Sequence, residues 1–196
     1  MALSVLDRKL IVWSALFVVS QANIVRLLGP AGPKVLQVQT AWSERRYREI
    51  LASMDDAETA RFRSHYFPDL VHPAIYAMAL RAGARSLTAK ATLNPESVPG
   101  PATVRALAVA PVVSAACDYI ENIVGLTLVD NRNLISDNVV RSTTVVSTVK
   151  WVTAAGSLAY LSQGFVRHWR RNLLGRPGQR ITNTCRARAC LAGGRV

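Results

Sequence analysis

The stretch VRALAVAPVVSAACDYIENIVGLTLV, residues 104–129, decides the fold class. It exceeds the roughly 20 mostly apolar residues that a helix needs to cross a bilayer. After Arg105 its charges are Asp118 and Glu121 alone. A surface helix of a soluble bundle carries a polar face repeating at helical period. Residues 104–117 show no such face, so the segment reads as a membrane span. It therefore places Asp118, Glu121 and Asn122 where hydrocarbon tolerates polar groups only if they face protein or a wet cavity.

Working outward, three more segments have the same character. Upstream lie LIVWSALFVVSQANIVRLL, residues 10–28, and a second stretch over about 67–84. Downstream, residues 143–166 carry one charge, Lys150. A chain of this length is room for one domain, and no internal repeat is evident. The expected fold class is all-α: an integral membrane four-helix bundle over residues 1–166, followed by a basic tail over 167–196. The first segment has an alternative, because a basic start, an apolar run and the small residues Ser20 and Ala22 could form a cleaved secretory signal. Ile24, Val25, Leu27 and Leu28 extend the apolar run past that site, so a retained helix is expected.

The net charge of +12 is unevenly spread. Eight arginines crowd into residues 167–196 without an acidic residue. Such a composition cannot pack a core of its own, and it is attracted to anionic lipid headgroups. Nucleic acid is a poor fit, because no aromatic residues beyond Trp169 interleave with the cations. With four spans, 13 basic residues flank one side and 8 the other. The positive-inside rule then puts both termini in the cytoplasm of a multi-pass protein.

Between the first two spans, GPAGP at 29–33 stops the helix. Trp42, Tyr47, Ile50, Leu51 and Met54 then recur at helical spacing among charged residues. This predicts a surface-lying amphipathic helical segment on the outer membrane face, or else a lid packed on the helix ends. Ser53 with Asp56 reads as a new helix start. Residues 86–101 read as a polar, Pro-rich loop.

Counting at about 1.5 Å per residue brings the intramembrane polar residues of all four spans to the outer half. Ser114, Asp118 and Asn122 continue a four-residue stripe from Ala106 and Ala110, with Glu121 and Gly125 beside it. Thr143, Ser147, Lys150 and Ala154 form a comparable face, and Asp69, His72 and Tyr76 share another. Pro73 has no N–H to offer the carbonyl of Asp69, and Pro111 likewise releases that of Leu107. The candidate ligand-binding residues are thus Asp69, His72, Tyr76, Asp118, Glu121, Asn122 and Lys150. The plainer alternative is that the carboxylates pair internally with Lys150 and Arg26 and only fix helix register.

The chemistry this excludes is specific. The three histidines lie at different depths, and Cys185 and Cys190 lack His or Cys companions, so no metal site is expected. No nucleotide-binding loop or nucleophile elbow occurs, and no cofactor is expected. A lipophilic-ligand-binding or accessory membrane protein is the expected function. The alternative is a cofactor-free membrane enzyme on a lipid-like substrate, with Asp118, Glu121 and His72 as catalytic candidates, since neighbouring carboxyls in one apolar pocket can divide acid and base roles. A carrier would need a homo-oligomer, because one four-helix chain without inverted repeats is too small a frame.

Overall fold

The computed structural model describes residues 4–91 and 99–174, and among them all regular structure is helical. Helix α1 spans Val5–Leu28 and is capped by Ser4, whose hydroxyl accepts from the Asp7 N–H at 3.1 Å. It ends at Gly29, whose φ of +50° lies in the left-handed region that glycine enters without a Cβ clash. The GPAGP cluster does not end helical structure for long. A 3-10 turn over Gly29–Ala31 leads straight into α2, Gly32–Gln39, with Pro33 in its first turn, where a missing N–H is harmless.

Helix α3, Glu44–Ala52, starts from a Ser43 cap. Helix α4, Asp56–Asp69, opens with a reciprocal capping box between Asp55 and Glu58, so the start expected at Ser53 falls two residues later. The expected second span over 67–84 is interrupted. Helix α4 ends at Asp69, Leu70 and Val71 turn the chain, and α5 runs over His72–Ala91. Pro73 therefore sits in the first turn of α5 rather than within a continuous helix. The expected loop at 86–101 is shorter than predicted, because α5 continues through Ala91 and α6, Pro101–Asp130, opens on a proline. A turn at Arg132–Leu134 leads to α7, Asp137–Leu174. Residues 167–174, assigned to the tail by composition, thus continue α7, while 175–196 lie outside the described residues.

The four long helices α1, α5, α6 and α7 do not close into a symmetric ring. Helix α6 packs between α5 and α7, and α1 leans on α4 and α5 from the side. Among the described residues two helices are long and apolar enough to cross a membrane: α1 with its continuation to Gln39, and α6. Of their most apolar windows 6 % and 39 % is buried, respectively, which makes α1 the peripheral helix and α6 the central one.

The largest core lies at one end, where Tyr47, Ile50 and Leu51 of α3 join Phe62 and Tyr66 of α4, Ile24 and Leu28 of α1, Leu128 of α6 and Val140 of α7. Between the two placements considered for residues 42–54, the structure takes the lid. Its apolar side closes on the helix ends, while Trp42 remains 56 % exposed. Each buried side chain of this size favours the closed lid by about 1.5–3 kcal/mol. Polar seams hold its edge: Thr144 donates to the Ala41 carbonyl, the Glu44 N–H to Asp137 at 2.7 Å, and Arg48 to the Ile135 carbonyl at 3.1 Å. Arg63 adds a two-pronged pair to Asp130 at 2.6 and 2.9 Å, which holds that carboxyl below its usual range. At the other end a smaller core of Ala84, Leu87, Leu107 and Leu161 joins α5, α6 and α7.

Gly125 is required where α4 crosses α6. A Cβ there would stand 2.8 Å from Tyr66 Cζ, and that ring cannot give way because His65 stacks on it at 4.2 Å and Phe62 meets its edge at 5.7 Å. Gly125→Ala should therefore lower stability by about 1–3 kcal/mol through overpacking. In a Tyr66→Leu background the same change should cost much less, as read by thermal unfolding of the purified protein.

Candidate functional site

The lid covers a buried charge cluster built on α6 and α7. Asp118 and Glu121, three residues apart, lie on neighbouring positions of the inward side of α6. Lys150 of α7 reaches both, with its Nζ 2.8 Å from Glu121 Oε1 and 3.3 Å from Asp118 Oδ1. All three side chains are more than nine-tenths buried. Glu121 also accepts from Ser147, one turn before Lys150 on α7, and from the Gln39 amide at the end of α2. The Gln39 carbonyl accepts from the Trp151 indole N–H at 3.0 Å, and the Lys150 ammonium lies 5.1 Å from the Trp151 ring centre. A cation over an aromatic face gains further electrostatic support.

Two polar links extend the cluster toward α5. Ser114, fully buried, donates to the Lys150 backbone carbonyl at 3.0 Å. With its proton so engaged, its oxygen accepts from the Tyr76 hydroxyl, also at 3.0 Å. The Asn122 amide donates to the Asp69 carbonyl at 2.8 Å. That carbonyl is available because the chain four residues on is Pro73, which has no N–H, so the reading of Pro73 holds for this atom although α4 has already ended. Among the described residues no buried side-chain nitrogen or oxygen lacks a hydrogen-bond partner, which is what a network in low dielectric requires.

Of the residues singled out from the sequence, Asp118, Glu121 and Lys150 touch directly, and Tyr76, Asn122 and Asp69 join at the margin. His72 does not. Its Nδ1 is 3.0 Å from Ser20 Oγ, and its ring lies 5.4 Å from Phe17, so it faces α1. Arg26, expected as a second cation for the carboxylates, is exposed and takes no part. The reason is the peripheral position of α1, whose contacts are with α4 and α5. Lys150 is thus the cation that both carboxylates share. Ala106 is exposed and Ala110 half-buried, so the α6 stripe faces inward only from Ser114 onward.

Gln39 and Trp151 were not found from the sequence. The signal for Gln39 was a short amphipathic run, VLQVQ, directly after the proline cluster, and nothing in it points to α6. His65 is 2 % exposed beneath the lid. It bonds the Phe62 carbonyl through Nδ1, and burial pushes its pKa down to about 4. Burial also raises that of Tyr47. Both rings are therefore neutral at physiological pH and serve as apolar filling with polar edges. Among the described residues no group of three or more His, Cys, Asp or Glu side chains could hold a metal ion.

No protein-family model matches this chain, and no curated protein or solved structure shows significant similarity to it.

Removing Lys150 leaves two carboxylates facing each other without a cation. Lys150→Met should therefore destabilise by about 3–5 kcal/mol, the scale for breaking a buried pair. Adding Glu121→Gln should recover part of that loss, and adding Asp118→Asn should recover less, because its contact is longer. Thermal unfolding of the single and double variants checks the order, since non-interacting sites would give additive losses.

Proposed function

We propose that this chain is a small multi-pass integral membrane protein, spanning with α1, α5, α6 and α7, that binds a lipophilic small molecule beneath its helical lid. The observation that carries the reading is the Lys150–Glu121–Asp118 cluster enclosed in a body whose sides are apolar. Val12 and Val19 of α1, Val112 and Ile120 of α6, and Val152 and Leu158 of α7 are all largely exposed. A water-soluble protein of this size rarely exposes apolar surface so extensively. Between Arg105 and Asp130 on α6 the helix rises about 37 Å, and between Arg141 and Arg167 on α7 about 39 Å, against a hydrocarbon layer of about 30 Å. Lys150 is the charge inside that second interval. A polar cluster at membrane depth is by default a functional-site hypothesis, and here it lies under the lid, with α2 reaching it through Gln39. Both termini are then cytoplasmic, by the same distribution of basic residues that sets orientation in short-looped membrane proteins.

Two other roles share this framework. An accessory protein would use the cluster only to fix the packing of α6, α7 and the lid. A cofactor-free enzyme acting on a lipid-like substrate is favoured by one observation, that Asp118 and Glu121 share a single lysine, so that one proton can be exchanged between two carboxyls at one point.

Mass spectrometry of lipids extracted from the purified chain tests the ligand reading. One lipophilic compound should co-purify in near-stoichiometric amount and be depleted by Gln39→Ala, while bulk lipid alone on both proteins would sink the ligand role. Single cysteines in a cysteine-free background test the topology. In sealed cells a cysteine at Asp130 should react with an impermeant reagent and one at Arg180 should not. The reverse pattern overturns the orientation.

A further inference from the structure

The two ends of the helical body treat their cations differently. At the lid end, Arg45, Arg46, Arg48, Arg63 and Arg141 are in ion pairs with Glu49, Glu44, Asp130 and Asp137, while Arg61 and Arg132 are exposed without one among the described residues. At the opposite end, Arg8, Lys9, Arg85, Arg105 and Arg167 are exposed, and none belongs to an ion pair among the described residues. The acidic residue described at that end, Asp7, is already held by Lys90 and by the Ser86 hydroxyl at 2.6 Å. These cations belong to one surface. Asp7 ties the start of α1 to the end of α5, and Ala84, Leu87, Leu107 and Leu161 bring the start of α6 and the late turns of α7 to the same level.

We propose that this end of the body is a binding surface for the headgroups of anionic phospholipids. The proposal rests on the membrane reading above and adds a partner on folded helix ends, separate from residues 175–196. The placement of the cations selects this partner. Lys9 precedes the exposed Ile11 and Val12, Arg105 follows the exposed Val104, and Arg167 stands between the exposed Val166 and Trp169. The cations therefore lie at the level where apolar helix faces give way to water. In a bilayer that level is occupied by lipid phosphates, and an interfacial tryptophan is a common marker of it. Basic side chains there attract anionic lipid over zwitterionic lipid. A nucleic acid would have no reason to meet cations aligned with a hydrocarbon boundary, and no aromatic platform for its bases accompanies them.

The test is native mass spectrometry of the full chain released from nanodiscs of equimolar phosphatidylcholine and phosphatidylglycerol. The expected result is a preference for phosphatidylglycerol adducts. The variant K9Q/R85Q/R105Q/R167Q should reduce that preference at least about tenfold, the scale set by about fivefold per basic residue near an anionic surface. The charge-conserving variant K9R/R85K/R105K/R167K should retain it, which separates charge from damage to the fold. Neutralising the terminal stretch instead, as R176Q/R180Q/R186Q/R188Q/R195Q, should leave most of the preference in place. Equal adducts of both lipids, or a preference that follows the terminal stretch alone, overturns the proposal. So does tighter binding of polyuridylate than of phosphatidylglycerol by the detergent-solubilised chain. Failure of the chain to float with vesicles of either composition overturns the membrane reading itself, and is a different result from floating without lipid preference.

Discussion

One lysine ammonium between two carboxylates sets the geometry of the lid end of this protein. Lys150, Glu121 and Asp118 are each removed from solvent, and any one left alone there would be strongly unfavourable. Their mutual contacts can be satisfied only when α6 and α7 stand in one register, because a shift of either helix by a single residue rotates its polar group away by about 100°. Apolar contacts between the same helices would tolerate many small displacements. The cluster is therefore better regarded as a device for specificity than as a source of net stability, and the small side chains Ser114 and Ser147 around it are what let the two helices approach closely enough to make it.

The lid depends on the same interaction. Glu121 has more acceptor capacity than Lys150 uses, and the remainder is taken by Ser147 and Gln39. Gln39 in turn is held by Trp151, next to Lys150. The position of α2 is thus referred to α6 and α7 through one amide, and α3 follows by burying Tyr47, Ile50 and Leu51 over the helix ends.

The contrast between the two ends follows from chain composition and from folding together. At the lid end, Glu44, Glu49 and Asp137 pair with arginines one turn away on their own helices, and Asp130 of α6 pairs with Arg63 of α4. At the opposite end basic residues from four helices converge, and Asp7 is consumed by Lys90. Most lid-end arginines are in salt bridges, whereas Arg8, Lys9, Arg85, Arg105 and Arg167 at the other end belong to none among the described residues.

The sequence by itself determined helicity, the approximate position of the long helices, and which faces of α6 and α7 carry polar groups. These follow from local rules: apolar run length, the four-residue spacing of Ser114, Asp118 and Asn122, and the isolation of Lys150 in an apolar stretch. It also showed that Pro73 leaves the Asp69 carbonyl open. Tertiary structure alone decided which polar faces meet. Arg26 and His72 have the right depth to join the cluster, but α1 packs at the periphery, so Arg26 points outward and His72 turns to Ser20. Gln39 has no sequence mark of a partner on α6, 82 residues away, and reaches Glu121 only because the chain re-forms a helix after Gly29 and folds back. The division has one cause. Helical periodicity fixes the angle of a side chain about its own axis, whereas the rotation of each helix relative to its neighbours is set by packing between segments distant in the chain.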